Sequence, residues 1–357
     1  MKRFSFSILL FAAAVLFASA QSKVYFTKDI TASSLVKIYK AVGKPLTGKV
    51  AVKISTGESS KTNYLRPTFI RALVDTVNGT IVECNTAYPG NRNSTAAHRK
   101  AIHERGFDSI AVVDIMDEEG EIQIPVKDKT HLQYNLVGSH INRYNSMISL
   151  AHFKGHAMGG FGGVLKNQSI GVASQNGKSY IHTAGYTTNP SQMWSHIDNQ
   201  DGFLESMAAA AQAVHEYFKG NIVYINVMNN MSVDCDCDGN PAAPRLNHIG
   251  ILASTDPVAL DQACIDLVMN HPSTTGDDAA PLIERINSRH GTHTIDYAEQ
   301  IGLGSKSYEI TDLDVVSGTS NIEQESTLGH IYTLLGVEVK NPSKGIYIID
   351  HHKVALK

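Results

Sequence analysis

The stretch MISLAHFKGHAMGGFGGVLKN, residues 147–167, decides how this chain is expected to fold. It begins with an apolar run that predicts a buried strand over residues 147–153. The chain then enters a glycine-rich loop. Glycine lets the backbone adopt positive φ angles and approach another group closely. The loop contains Gly159, Gly160, Gly162 and Gly163.

The glycine-rich loop is expected to form the floor of a small-ligand site. A strand that ends in such a loop presents a row of backbone N–H groups, and a nearby lysine adds positive charge. We therefore expect the four glycines and Asn167 to bind a small anionic ligand. His156 is expected to act as a metal ligand or a general acid or base, and Lys166 to hold the anion or act as a nucleophile. The spacing of a P-loop is absent.

Strand patterns alternate with helix patterns of 10–12 residues on both sides of this stretch. The alternation predicts βαβ units and an α/β fold of largely parallel sheets covered by helices. Two lobes are expected, over residues 21–144 and 145–313, and they would meet near the glycine-rich loop. The segments 121–126 and 131–137 are expected to add antiparallel strands.

The two ends of the chain differ from the rest. Residues 1–20 combine two basic residues, a short apolar run and Ala18-Ser19-Ala20, which predicts a signal peptide and an exported protein, periplasmic or extracellular. Residues 314–330 read as a linker, and residues 331–357 as a β-hairpin tail. The tail resembles the carboxy-terminal tails of some exported Gram-negative proteins, which suggests a secretion signal. The alternative is an extra hairpin on the main sheet.

Composition narrows the set of partners. The net charge is −3 and no basic cluster is present, which argues against a nucleic-acid partner. No run after the first twenty residues reaches the roughly 18 apolar residues of a membrane span. The expected partner is therefore a small anionic molecule, and the pattern leaves the oligomeric state open.

A second candidate motif is ECNTAYPGNRNSTAAH, residues 83–98, which follows a predicted strand and precedes a predicted helix. Ligands of open parallel sheets bind at the carboxyl ends of the strands. Asn85 and Arg92 are therefore expected to contact the ligand, Arg92 through its planar guanidinium. The alternative is a structured loop in which Asn93 or Ser94 caps the helix.

A third candidate motif is VDCDCDGNPAAP, residues 233–244. Thiolates suit borderline metals such as zinc, so Cys235 and Cys237 are expected to bind a transition metal together with His152. A disulfide from one of them to Cys84 or Cys264 is the alternative. A bond between Cys235 and Cys237 is not expected, because residues two apart on a strand rarely reach disulfide geometry.

These motifs together resemble one family. HFKGHAMGGFGGVLKN, ECNTAYPGNRNSTAAH and the segment from Cys235 to Val268 are similar to the domain of unknown function 362 family, over roughly residues 23–312. Some members of that family carry a ferredoxin-like iron–sulfur segment. Its repeated Cys-x-x-Cys run is absent here, so an iron–sulfur cluster is not expected in this chain.

A shorter likeness concerns the glycine-rich loop. His156, followed by Gly-Phe-Gly-Gly and Lys166, is similar to the histidine–GFSGGRK pattern of nickel-pincer lactate racemase. In that family the histidine serves the metal and the lysine holds the cofactor, so the likeness implies nickel as the alternative to zinc.

The sequence thus predicts an exported protein, either an enzyme or a metal-dependent site protein, that binds a small anion at the loop 155–163 between two lobes. The alternative is a non-catalytic exported protein that binds a small ligand and has structural disulfides.

Overall fold

The protein is described by a computed structural model that covers residues 21–315, 331–333, 339, 345–349 and 352–356. The predicted signal peptide and nearly all of the predicted linker lie outside the described residues. No helix in the described part is long and apolar enough to cross a membrane.

One eight-stranded sheet forms the centre of the fold. Its spatial order is β12-β1-β11-β10-β7-β2-β3-β4, and only β11 runs antiparallel to its neighbours. The strands are β1 (Ser22–Thr27), β2 (Val50–Lys53), β3 (Thr80–Glu83), β4 (Val113–Ile115), β7 (Ser146–His152), β10 (Ile222–Met228), β11 (Gly250–Ser254) and β12 (Tyr308–Asp312). The central strands β7 and β10 are buried along their whole length, as expected for a parallel sheet with both faces covered.

Helices cover both faces of this sheet and form two apolar cores. They are α1 (Ala32–Val42), α2 (Pro67–Thr76), α3 (Thr95–Glu104), α4 (Val164–Ser169), α5 (Gln175–His182), α6 (Gln200–Tyr217), α7 (Pro257–Met269), α8 (Ala280–Ser288) and α9 (His293–Gln300). Three short 3-10 helices lie at Phe107–Ser109, Ser139–Arg143 and Pro190–Ser195.

Local sequence signals explain where several helices begin. The Asp256 carboxylate accepts the backbone N–H groups of Val258 and Ala259 at the start of α7. Ser94, one of the two residues expected to cap α3, does so by accepting the backbone N–H of Ala97.

The α/β prediction is confirmed, with one difference in how the sheet is assembled. Strands from both predicted lobes share the single large sheet. Strand β1, from the range 21–144, lies between β11 and β12, which come from the range 145–313. The two ranges are therefore joined through continuous strand pairing.

Short antiparallel strands complete the described structure. The predicted pair after β4 is present as β5 (Glu121–Pro125) and β6 (Tyr134–Gly138). In the predicted tail, a separate three-stranded sheet contains β13 (Ile331–Thr333), β14 (Gly345–Ile349) and β15 (His352–Leu356). The proposed role of this tail in secretion stays a prediction.

The glycine-rich loop is more regular than the sequence indicates. It forms a small hairpin of β8 (Lys154–His156) and β9 (Gly160–Gly162), and α4 follows directly. Gly160 has a φ of +78°, and a Cβ there would lie 2.8 Å from the Cα of Gly291. Glycine at position 160 therefore allows both the turn and the close approach of α8's carboxyl end.

Candidate active site

A small cavity of about 90 Å³ lies at the carboxyl ends of β2, β3, β7 and β10. This is the edge of an open parallel sheet at which ligands are expected to bind. Five cationic side chains and only two carboxylates line the cavity. The cations are Lys53, Lys154, Lys166, Lys178 and Arg92, and the carboxylates are Glu83 and Asp236.

Three of the four lysines are fixed by hydrogen bonds. Lys53 donates to the backbone carbonyl of Ile54 and to Asn167 Oδ1. Lys154 donates to the carbonyl of His152 and lies 3.3 Å from a carboxylate oxygen of Asp236. Lys178 donates to the carbonyl of Ala173.

Lys166, on the first turn of α4, differs from these three lysines. No hydrogen bond or ion pair joins its Nζ to another residue within the described ranges, and its side chain is half-buried. Burial and the charges of Lys154, Lys53 and Arg92 lower the pKa of Lys166 to about 7. At neutral pH a much larger fraction of this amine is therefore neutral than in an ordinary lysine.

His156 lies at the rim of the cavity as a neutral imidazole. Its Nδ1 accepts the backbone N–H of Gly159 at 2.8 Å and that of Met158 at 3.2 Å. Burial, and next the charge of Lys166, lower the pKa of His156 well below its usual value. The ring proton is therefore assigned to Nε2, which makes that nitrogen a hydrogen-bond donor.

His182, the last residue of α5, has the opposite tautomer. Its Nδ1 donates to the carbonyl of Lys178 at 2.7 Å, which leaves Nε2 without a proton. Burial lowers the pKa of His182 to about 4. The cavity therefore holds one imidazole that can donate a hydrogen bond through Nε2 and one whose Nε2 can accept a hydrogen bond or a proton.

The cysteine motif contains a disulfide that the sequence does not predict. Cys235 and Cys237 are bonded to each other, while Cys84 and Cys264 are free and buried. The expectation that the two motif cysteines would not pair is therefore wrong. The same is true of the alternative pairing with Cys84 or Cys264. The backbone turns between the two residues instead of continuing as a strand, which brings the sulfurs together.

The two motif sulfurs lie beside His156. One nitrogen of that ring and both sulfurs are within 4.8 Å of one another, which is a possible set of metal ligands. A disulfide sulfur is not a thiolate, so this set requires the reduced cysteines to bind a metal.

His152 lies outside this group. Its Nδ1 is 3.0 Å from Asp236, and its Nε2 is 2.6 Å from the carbonyl of Asn229. Burial alone would raise the pKa of Asp236, but the charges of His152 and Lys154 outweigh it and hold the pKa well below its usual range. In this arrangement His152 orients Asp236, and both of its nitrogens already have partners.

The second motif forms a buried polar network behind the cavity. Arg92 pairs with Glu58 at 3.0 Å and with Glu83 at 3.1 Å. His98 bridges Glu83 and the side chain of Asn85, each at 3.1 Å. Arg92 lines the cavity, whereas Asn85 does not line it and is linked to the lining residue Glu83 through His98.

The glycines have separate positions. Gly162 and Gly163 line the cavity, while Gly159 and Gly160 form the hairpin turn beside it. The backbone N–H groups that follow are already occupied, because Val164 and Leu165 both donate to the carboxylate of Asp261 at 3.0 Å. Positive side chains, rather than these N–H groups, therefore dominate the cavity.

Four of the basic side chains that line the cavity were not predicted from the sequence: Lys53, Lys154, Lys178 and His182. Lys178 and His182 are four residues apart on α5, a spacing that places both on one helix face. Lys53 ends a strand, which is the position that an open sheet uses for ligands. These were the signals available in the sequence.

The solved structures that are similar to this chain include the following two. One is the lactate racemase apoprotein from Thermoanaerobacterium thermosaccharolyticum, with a TM-score of 0.38, 14% identity and coverage of 68% of this chain and 56% of that chain. The other is a protein from Thermotoga maritima, with a TM-score of 0.37, 10% identity and coverage of 75% and 58%. This chain thus spans less than two thirds of the length of either protein. No curated protein matches it.

The chain also matches the model of a protein family. Residues 50–266, more than half of the chain, match the family described as domain of unknown function (DUF362). That range contains every residue that lines the cavity. The chain therefore belongs to the domain of unknown function 362 family.

Proposed function

We propose that the cavity is an active site for a small anionic ligand and that Lys166 is its reactive amine. One observation carries this proposal: five cations converge on a small cavity, and four of them have partners whereas Lys166 has none among the described residues. A partly neutral amine in such a place can act as a nucleophile or a base. An incoming anion would balance the surplus positive charge.

The two histidines support chemistry in addition to binding. His156 offers an N–H group, and the unprotonated Nε2 of His182 offers a proton acceptor. Both rings stay neutral at pH 7 because burial lowers their pKa values. His182 can therefore accept a proton from a ligand held between the lysines, while His156 donates a hydrogen bond to that ligand.

Export remains part of the proposal. The disulfide between Cys235 and Cys237 suits an oxidising compartment, as does the signal-like segment at residues 1–20.

Trapping with glyoxylate tests the reactive amine. Glyoxylate is a small aldehyde with a carboxylate. A neutral lysine attacks its aldehyde carbon and loses water to form an imine, and cyanoborohydride reduces that imine to a stable secondary amine. Peptide mass spectrometry at pH 7 should find Lys166 labelled at least about tenfold faster than the exposed Lys100, because far more of Lys166 is neutral.

Two controls define the outcomes. Lys166→Met should remove that label and leave the label on Lys100 unchanged. Labelling of Lys166 at or below the rate of Lys100 would contradict a reactive amine. If the anion nevertheless binds, the non-catalytic binding protein becomes the better description.

A metal site is the second candidate, favoured by the close set of His156, Cys235 and Cys237. Reduced cysteines would supply two thiolates, which suit zinc or nickel. A zinc titration of the reduced protein should then reach one equivalent, and the oxidised protein or Cys235→Ser should take up none. Absence of uptake by the reduced protein would remove this candidate.

A further inference from the structure

A larger groove lies outside the cavity described above. Its volume is about 660 Å³, against about 90 Å³ for the inner cavity. The two spaces share five lining residues, so they lie side by side. These shared residues, which we call the neck, are Tyr88, His156, His182, Cys235 and Cys237.

The outer groove presents apolar groups that a soluble protein usually covers. Its walls include Met158, Met193, Pro89 and Trp194. Trp194 is 53% exposed and is the only tryptophan of the chain. Methionine side chains adapt to ligands of different shapes, and a flat tryptophan ring offers a large contact surface.

Among the residues that the structure describes, no lysine or arginine lines the outer groove, and the charged lining residues are Glu58, Asp234 and Asp238. The inner cavity has the opposite character, with a surplus of positive charge. The positive charge of the inner cavity would therefore attract an anionic group, whereas the lining of the groove offers it no opposite charge. The two chambers thus select different parts of a ligand.

We infer that the ligand is an organic anion with two parts: a carboxylate or phosphate head that lies in the inner cavity, and an apolar, ring-containing body that rests on Met158 and Trp194 in the outer groove. This inference rests on the proposed function, because the head uses the same cations. The bond that joins head and body would then pass through the neck, beside His156 and His182.

Paired probes separate the head from the body. Propionate and 3-phenylpropionate share a carboxylate head, and inorganic phosphate and phenyl phosphate share a phosphate head. Binding is followed by the fluorescence of Trp194 and, independently, by calorimetry. In whichever pair binds, the phenyl member should bind roughly tenfold or more tightly, because its ring removes apolar surface from water. The pair that binds also identifies the head.

Variants locate the body. Met158→Ala and Trp194→Ala should each weaken the phenyl probe several-fold, measured by calorimetry, and leave the head-only probe unchanged. Tyr186→Ala is the matched control, since Tyr186 is an exposed aromatic residue outside the lining of the groove. It should change neither affinity.

The two proposals fail in different ways. If the head-only probe binds as tightly as its phenyl partner, or if Trp194→Ala leaves the phenyl probe unaffected, the inferred body is wrong and the anion site stands. If neither pair binds the wild-type protein, both the anion site and this inference are overturned.

Discussion

The two ends of the large sheet both gather charged side chains, but they balance them differently. At the amino ends of β2, β3 and β4, a groove of about 850 Å³ is lined by three cations and three carboxylates. They are Lys49, Arg99, Arg143, Asp75, Asp114 and Glu118. At the carboxyl ends, the inner cavity has five cations against two carboxylates. The amino end has equal numbers of basic and acidic side chains, whereas the carboxyl end has three more basic side chains than carboxylates.

The amino end also shows that a cluster alone does not make a site. Asp114, Glu118 and His140 offer atoms within 4.8 Å of one another, as metal ligands would. Yet Asp114 accepts a hydrogen bond from Tyr144 at 2.6 Å and lies 2.7 Å from His140, and Glu118 pairs with Arg99. Here the charged groups satisfy one another. At the carboxyl end Lys166 has no such partner in the described structure, and this distinguishes the candidate site.

The largest effect is expected on the free energy of unfolding when one arginine from each end is replaced. Arg92→Met should lower the free energy of unfolding by roughly 3–5 kcal/mol, because it leaves Glu58 and Glu83 buried without their cation. Arg99→Met should cost about 1 kcal/mol or less, because the Arg99 side chain is 51% exposed. Urea unfolding of both variants measures the difference. Equal losses would contradict the claim that the carboxyl end depends on buried pairing.

A smaller effect concerns Lys166 and pH. Its folded pKa of about 7 lies below the ordinary value near 10.4 of the unfolded chain. The unfolded chain therefore binds more protons between about pH 7 and 10, and stability rises with pH across that window. Lys166→Met removes this penalty. The variant should be more stable than wild type by roughly 1–2 kcal/mol at pH 6, after allowance for solvent screening, and the gain should shrink towards pH 10.

Lys49→Met at the amino end is the control for that prediction, because Lys49 is exposed. Its unfolding free energy should stay within about 0.5 kcal/mol of wild type at both pH values. Thermal or urea unfolding at pH 6 and pH 10 measures all three proteins. A gain for Lys166→Met that does not change with pH would indicate a packing effect instead of a charge effect.

The smallest effect is on ligand affinity. Propionate keeps one negative charge from pH 6 to 9, while Lys166, with a pKa of about 7, and Lys53, with a pKa lowered by burial to about 8, lose protons over that range. Its affinity should therefore fall by roughly tenfold between pH 6 and pH 9, since each lost proton removes one attractive charge. Calorimetry at the two pH values measures this fall. An affinity that rises with pH would contradict the electrostatic account.

The sequence predicted the alternation of strands and helices, because the signals for it are local. Helix α7 (Pro257–Met269) illustrates such a local signal, since Asp256 is a typical N-cap residue and Pro257 suits the first helical position. The carboxyl edge of the sheet was also expected to hold the site, and the motif residues Arg92, Lys166 and Cys235 do line one cavity there.

The rest depends on tertiary structure that no local pattern encodes. Lys178 and His182 reach the cavity only because α5 packs against α6 and β6, and these contacts join segments that are distant in the sequence. Asp261 occupies the N–H groups at the start of α4 from 96 or 97 residues away. The Cys235–Cys237 bond needs a turn that strand alternation does not indicate.

The protonation of Lys166 tests the central claim most directly. NMR titration of the lysine side-chain amines, assigned with Lys166→Met, reports the pKa of each lysine in the folded protein. The account predicts a pKa of about 7 for Lys166, and a rise in that pKa when propionate or phosphate occupies the cavity. A pKa for Lys166 near 10.4, unchanged by either anion, would contradict it.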